Sequence, residues 1–365
     1  MDRLNHIAQQ FAGSSQISDI RAFGSGNIND TFLVTVVDDA APHFVLQRIN
    51  TNVFVQPALV MENMRIVTQH VCDKLECESA QSARRWAIPR VLLTTADRVG
   101  WVEPDGTYWR AISFIDGSQS IDIIQDLAHG REVGYALGRF HQLISDLDPA
   151  QLADTLVGFH ITPQYLVDYQ RVLATATRVG GVDVDYCLNF VQERQEWASV
   201  LEDAKSDGKL PLRPIHGDPK VNNVMICTTT HQAIGAIDLD TVKPGLIHYD
   251  IGDCLRSGCN PLGEETTAWE QVQFDTQMCR AMLTGYLSQA GGFLTADDYE
   301  YLFDAIRLIA FELGLRFFTD YLAGNVYFKV KYPQHNLDRA LVQFQLTKSI
   351  EAQEVEIRSI IQDLR

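Results

Sequence analysis

Residues Arg213–Gly245 read RPIHGDPKVNNVMICTTTHQAIGAIDLDTVKPG. Two short apolar runs, 223–227 and 233–237, flank the polar TTTHQ, a pattern that predicts a β-hairpin. An antiparallel hairpin sets its outer ends side by side, within ~5 Å between Cα atoms. Asn223 opens the first run and Asp238 follows the second, so the two are expected to face each other at one mouth. An oxygen-liganded cation would bridge them there. Asp218 stands five residues before Asn223, close enough to overhang the same mouth. A free carboxylate beside Mg²⁺ held by an amide and a carboxylate is the set that phosphoryl transfer requires. The metal neutralises phosphate charge, and the free carboxylate orients an incoming hydroxyl and takes its proton. Mg²⁺ suits hard oxygen donors of this kind.

Outward from this stretch the period of the chain changes. From Ile20 to about Ile115 apolar residues alternate or form short runs. TFLVTVV (31–37), HFVLQRI (43–49), IPRVLLT (88–94) and YWRAISFI (108–115) predict strands. One helix interrupts them: Pro57 suits a first helical position, and ALVMENMRIVTQHVCDKL keeps a 3.6-residue spacing. After Ile115 the spacing is helical over Arg131–Leu147, Gln164–Leu173, Tyr186–Leu201, Trp269–Gln289, Ala296–Leu322 and Asn336–Ile361. Alternating βαβ units are absent, which argues against a Rossmann-type sheet. The expectation is an α+β protein with a β-rich lobe over 1–115 and an α-rich lobe over 116–365, joined by FIDGSQS (114–120).

At 365 residues the chain is long enough for two domains. Asp and Glu number 47 against 30 Lys and Arg, a net charge of −17. That field repels nucleic acid and anionic lipid, so neither is an expected partner, and an anionic ligand needs a local cation. The seven cysteines are scattered with no C-x-x-C pair, which predicts reduced thiols in a cytoplasmic protein. No secretory signal or membrane-spanning run is evident. The ten histidines include no HxH or HExxH, so a His-rich metallohydrolase has little support.

His216-Gly217-Asp218, Asn223 and Asp238-Leu239-Asp240 together match the H-x-D-x(4)-N … D-x-D pattern of the aminoglycoside and choline kinase superfamily. The chain resembles in particular the bacterial N-acetylhexosamine 1-kinases. FGSGNIND, FVLQRINT, AIDLDTVKPG, YDIGD and LRFFTDYLAGNVYFKVKYPQHNL are similar to that family's segments in the same order, from about Phe23 to His335. The resemblance implies a bilobal protein-kinase-like fold with an antiparallel N-lobe sheet and one helix. It implies ATP and Mg²⁺ as cofactors, with adenine against Phe114–Asp116. It implies Asp218 as catalytic base, Asn223 and Asp238 as Mg²⁺ ligands, and Arg316 and Tyr327 as contacts to the hydroxyl-bearing substrate. His216 would brace the catalytic loop.

Gly24 and Gly26 lie in a turn suited to covering ATP phosphates. The third strand carries Gln47 in the place of the usual phosphate-holding lysine, with Arg48 beside it on the opposite face. The hexosamine kinases also carry Gln-Arg here. They have a sugar-contacting His where this chain has Asn27, and a contacting Arg where it has His43, which changes reach and charge in the acceptor site. Local readings compete at other positions. Arg316 has Glu312 at i−4, a ready structural pair. Asp240 suits either the metal or a turn before Pro244, while Asp250 and Asp253 suit helix capping and loop bracing. The reading is a kinase acting on the anomeric hydroxyl of an N-acetylhexosamine or related sugar. Alternatives are the same machinery acting on aminoglycosides, choline or homoserine, and a nucleotide-binding module without catalysis.

Overall fold

Pro57 opens a helix as its fixed φ and missing N–H allow. The computed structural model describes residues 2–24, 28–37, 43–78, 84–177 and 180–365. In chain order it begins with α1 (Asp2–Ala12), β1 (Ile17–Ala22), β2 (Asp30–Val36), β3 (His43–Arg48) and α2 (Pro57–Glu78). Strands β4 (Val91–Leu92), β5 (Trp101–Val102), β6 (Tyr108–Ser113) and β7 (Ser118–Gln119) follow. Helices α3 (Leu127–Ile144), α4 (Thr162–Leu173), α5 (Val182–Arg194) and α6 (Val200–Ser206) lead to β8 (Arg213–Ile215). The predicted hairpin comes next as β9 (Val224–Cys227) and β10 (Ala233–Ala236). The chain ends with α7 (Ile247–Gly258), α8 (Thr276–Ala290), α9 (Ala296–Glu300), α10 (Leu302–Ala323), α11 (His335–Ala352) and α12 (Glu354–Leu364).

Two units form. The first is Met1–Gln119 with Leu143–Val157 and Met225–Pro244; the second is Ser120–Gln142, Gly158–Val224 and Gly245–Arg365. In the first unit an antiparallel sheet runs in the order β1-β2-β3-β6-β4, with β5 on β6. Alternation decides its two faces. Val34, Val36, Phe44, Leu46, Trp109 and Ala111 form one core with Ile7, Ala8 and Phe11 of α1. The opposite face presents Gln47 and Arg110, and Arg110 reaches Met61 of α2 at 3.7 Å. Helix α2 buries Val60, Met61, Met64, Val67 and Val71, the stripe its spacing predicts. The run 88–94 forms only the two-residue β4: Pro89 before it cannot donate to a ladder, and after it the Thr94 N–H is taken by the Arg98 carbonyl across a turn.

In the second unit α10 is apolar around nearly its whole circumference, from Leu302 to Leu322, as a helix enclosed by others must be. It packs on α4, α7 and α11. Helices α3 and α8 meet backbone to backbone. A Cβ on Gly134 would fall 1.9 Å from the Met282 carbonyl oxygen, and one on Gly285 would fall 2.0 Å from that of Arg131. Four predicted helices are interrupted. Trp269–Gln289 is a 3-10 turn over Trp269–Gln271, and its α-helix begins only at Thr276. Ala296–Leu322 breaks at Tyr301, after a capping box of Thr295 and Asp298. Asn336–Ile361 breaks at Gln353. Tyr186–Leu201 passes through a 3-10 turn at Gln195–Trp197. Apolar spacing runs through each break, so periodicity alone does not register it. Among the described residues no helix is long and apolar enough to cross a membrane.

Candidate functional site

The loop after β8 bends at Gly217, whose φ of +86° is costly for any residue with a Cβ. Buried groups grip both sides of that bend. Asp250, fully buried in the first turn of α7, accepts the His216 N–H at 2.7 Å and the Gly217 N–H at 2.8 Å. It also pairs with His141 Nε2 at 2.8 Å. The Gly217 carbonyl accepts from His160 Nε2 at 3.1 Å, and His160 Nδ1 meets Glu312 Oε1 at 2.9 Å. Both imidazole nitrogens therefore face acceptors, which requires the ring to carry both protons. Burial pushes the His160 pKa down, but Glu312 outweighs it and the value rises above the ordinary one. Asp250 thus braces the loop as expected, whereas Asp253 pairs with Arg256 at 2.8 Å.

A raised native pKa has a definite sign in stability. The contribution of the His160–Glu312 pair is full below about pH 6.5, the ordinary histidine value, and is lost as pH rises through the native value. Denaturant midpoints measured from about pH 6 to about pH 9 are expected to fall for wild type relative to His160→Asn. Parallel profiles would refute the charged pair.

On this held loop Asp218 pairs with Lys220 at 2.8 Å, and its N–H points to His216 Nδ1 at 3.4 Å. Asn223 ends the 3-10 turn Val221–Asn223 and donates Nδ2 to the Asp218 carbonyl at 2.7 Å. The structure thus brings Asp218 and Asn223 together. Fixing the amide nitrogen assigns the Asn223 oxygen to any cation, which fits an oxygen-liganded metal. In the first unit Asp238 follows β10 by two residues and holds φ +62°, ψ +54°, the left-handed region. The turn Leu239–Thr241 comes next. Asp240 is buried within that turn, paired with Arg110 of β6, and accepts Asn29 Nδ2 at 2.7 Å.

Gly24 holds φ +79°, the left-handed backbone that its place in a turn calls for. Gly26 and Asn27 lie outside the described residues. Gln47 donates to Thr31 Oγ1 at 3.0 Å and accepts Arg110 Nε at 2.8 Å. Arg48 pairs with Asp30, its register partner on β2, so the strand runs there without a bulge. His43 meets Thr35 Oγ1 at 3.2 Å and stacks edge-on against Phe114, which also meets Phe23 edge-on at 5.8 Å.

In the second unit Arg316 does not form the i−4 pair with Glu312. Glu312 is taken by His160 and by Thr162 Oγ1 at 2.7 Å. The Arg316 guanidinium lies instead among the rings of Phe159, Tyr165 and Phe328, at 5.3, 5.0 and 5.6 Å. No hydrogen-bond acceptor meets it among the described residues. Burial works against its charge, but Tyr165, Glu312, Tyr327 and Asp253 outweigh it and raise its pKa. Burial in turn pushes the Tyr165 hydroxyl up to about 12. Tyr327 is 66% exposed, on a segment whose Val326, Tyr327 and Phe328 N–H groups all donate to buried Asp320.

Sequence reasoning passed over Lys220, His160, Tyr165 and Arg110. A cation two residues after Asp218 was visible in the motif itself. The others owe their places to contacts between distant segments, and no local signal marks them.

The sequence profile of the phosphotransferase enzyme family matches residues 19–278. Among solved structures the chain is similar to a microcompartment-associated aminopropanol kinase, with a TM-score of 0.61 at 16% identity over 98% of each chain. It is similar to the GDP complex of wild-type aminoglycoside 2'-phosphotransferase-IIIa, with a TM-score of 0.60 at 13% identity over 94% of this chain and 97% of that one. A choline kinase from Cryptosporidium parvum Iowa II gives 0.55 at 13% identity, over 94% and 91%. These likenesses give the protein-kinase-like α+β fold, and the profile match gives the lineage: the chain belongs to the phosphotransferase enzyme family.

Proposed function

We propose that the protein is an ATP-dependent sugar 1-kinase, transferring a γ-phosphoryl group to the anomeric hydroxyl of an N-acetylhexosamine or a related sugar. Asp218 accepts the hydroxyl proton as the sugar oxygen attacks phosphorus, and ADP departs with the former bridging oxygen. Asn223 and Asp238 would hold Mg²⁺, which neutralises phosphate charge when bound. Gly24 and Gly26 would cover the phosphates, with Gln47 and Arg48 at the edge of the nucleotide site. Arg316, Tyr327, Asn27 and His43 would meet the acceptor, and the site of action would be cytoplasmic.

One observation carries the acceptor class: among the described residues the Arg316 guanidinium has ring neighbours and no hydrogen-bond acceptor. A fork of N–H donors in that state suits sugar hydroxyls and an acyl oxygen. It also repels the ammonium of an amino alcohol, which favours a sugar over choline or ethanolamine. Arg316→Met is expected to raise the acceptor KM by about 10–100-fold, the worth of one or two hydrogen bonds to a charged group, with nucleotide KM little changed. An unchanged acceptor KM would remove Arg316 from the substrate site.

The decisive experiment is ADP release with MgATP across free sugars, aminoglycosides, choline and homoserine, each sugar hit repeated with its 1-deoxy analogue. A response to N-acetylhexosamines that vanishes with the anomeric hydroxyl supports the 1-kinase. A response to another alcohol alone replaces the acceptor and keeps the machinery. Silence with nucleotide bound favours a binding module.

A further inference from the structure

Gln47 lacks the charge that a lysine would bring to β3, and a cation sits one strand away. Gln47 and Arg110 are register partners between β3 and β6. The Gln47 side-chain oxygen accepts Arg110 Nε, so a lysine at 47 would set two cations against each other. Arg110 and Asp240 form an ion pair with side chains only 1% and 3% exposed. Asp240 is anchored from a second side by Asn29, whose own Oδ1 accepts the Asn50 N–H at 2.9 Å. Two residues further on, the Val242 carbonyl accepts Asn63 Nδ2 of α2 at 2.9 Å. The turn after Asp238 is therefore tied to the sheet and to α2 at separate points.

The energetics say what such a pair is for. Burying two ions carries a desolvation penalty that their attraction must first repay, and a well-packed apolar pair is commonly as stable or more so. The pair's contribution lies in fixing geometry. Asp238 has a geometry that needs fixing: a left-handed φ in a residue with a Cβ is strained and persists only where the surroundings over-determine it.

We propose that Arg110 and Asp240 are positioning residues: their buried ion pair, anchored by Asn29, holds the Asp238 turn in the conformation that presents the Asp238 carboxylate to a divalent cation. Asp240 on this account is a tether and not a ligand. The proposal rests on the kinase reading given above, and its test separates the two.

Mn²⁺ binding to the full chain is measured by electron paramagnetic resonance with and without ADP, beside melting temperature and kcat. The double variant R110M/D240L replaces the pair with apolar side chains and is expected to melt near wild type. Its Mn²⁺ affinity in the ADP complex is expected to fall by ~10–100-fold, as for other partners that orient a metal ligand. Arg110→Lys, which keeps the charge, should recover part of that loss. Asn29→Ala, which removes one anchor from a half-buried position, should weaken Mn²⁺ in the same direction and serves if the double variant does not fold. Unchanged Mn²⁺ affinity in R110M/D240L, or in Asn29→Ala where that variant stands in, overturns the proposal. A wild-type protein without ADP-dependent Mn²⁺ binding overturns the kinase reading itself, before any variant is compared.

Discussion

Asp218→Ala is expected to lower kcat by about 10²–10⁴-fold while nucleotide affinity stays within a few-fold of wild type. The contacts of the carboxylate and of the loop backbone are separable. Among the described residues the Asp218 carboxylate meets Lys220, whereas the loop that carries it is held by Asp250 on its N–H groups and by His160 on the Gly217 carbonyl. Truncation at 218 would remove the proposed proton acceptor and leave the backbone path intact. Asp218→Asn sharpens the test, since it keeps the shape and cannot take a proton at neutral pH. Steady-state kcat on the best acceptor, beside calorimetric binding of MgADP, reads both halves. An undiminished kcat would take Asp218 out of the base role.

The second large effect is on stability. The Asp250 carboxylate faces three donors: the His216 and Gly217 N–H groups and His141 Nε2. Asp250→Ala leaves buried donors unpaired and is expected to cost about 3–5 kcal/mol, read as a lowered urea midpoint. Asp250→Asn should fare little better. Its NH₂ must point at a donor whichever way the amide is turned, so an acceptor-only group is required there. A midpoint for the Asn variant within about 1 kcal/mol of wild type would show that one good acceptor suffices.

The hairpin was legible in the sequence because its information is local. Two apolar runs bounded by polar residues and a turn cannot be read as much else, and β9 and β10 begin and end within a residue of the expected limits. The β-to-α change of period was legible for the same reason. What escaped are pairings that chain spacing does not encode. Helix α1 was not read, since its worth lies in Ile7 and Phe11 meeting a sheet face assembled from distant strands. Arg316 and Glu312 show the conflict most sharply. The i,i+4 rule pairs them, but His160, 152 residues away, offers Glu312 a buried and charged partner and wins. Asp240 likewise answers to Arg110 and not to its neighbours in the chain.

Glu312 and Arg316 stand one turn apart on α10, yet they answer to different demands. The first holds the loop that carries Asp218, through His160. Among the described residues the second keeps its donors unspent. On the proposed reading, substitutions at Arg316 would retune which alcohol is accepted while leaving the hydrogen bonds of His160 to Glu312 and to the Gly217 carbonyl in place. Two positions one turn apart on a single helix would then carry acceptor choice and loop geometry separately.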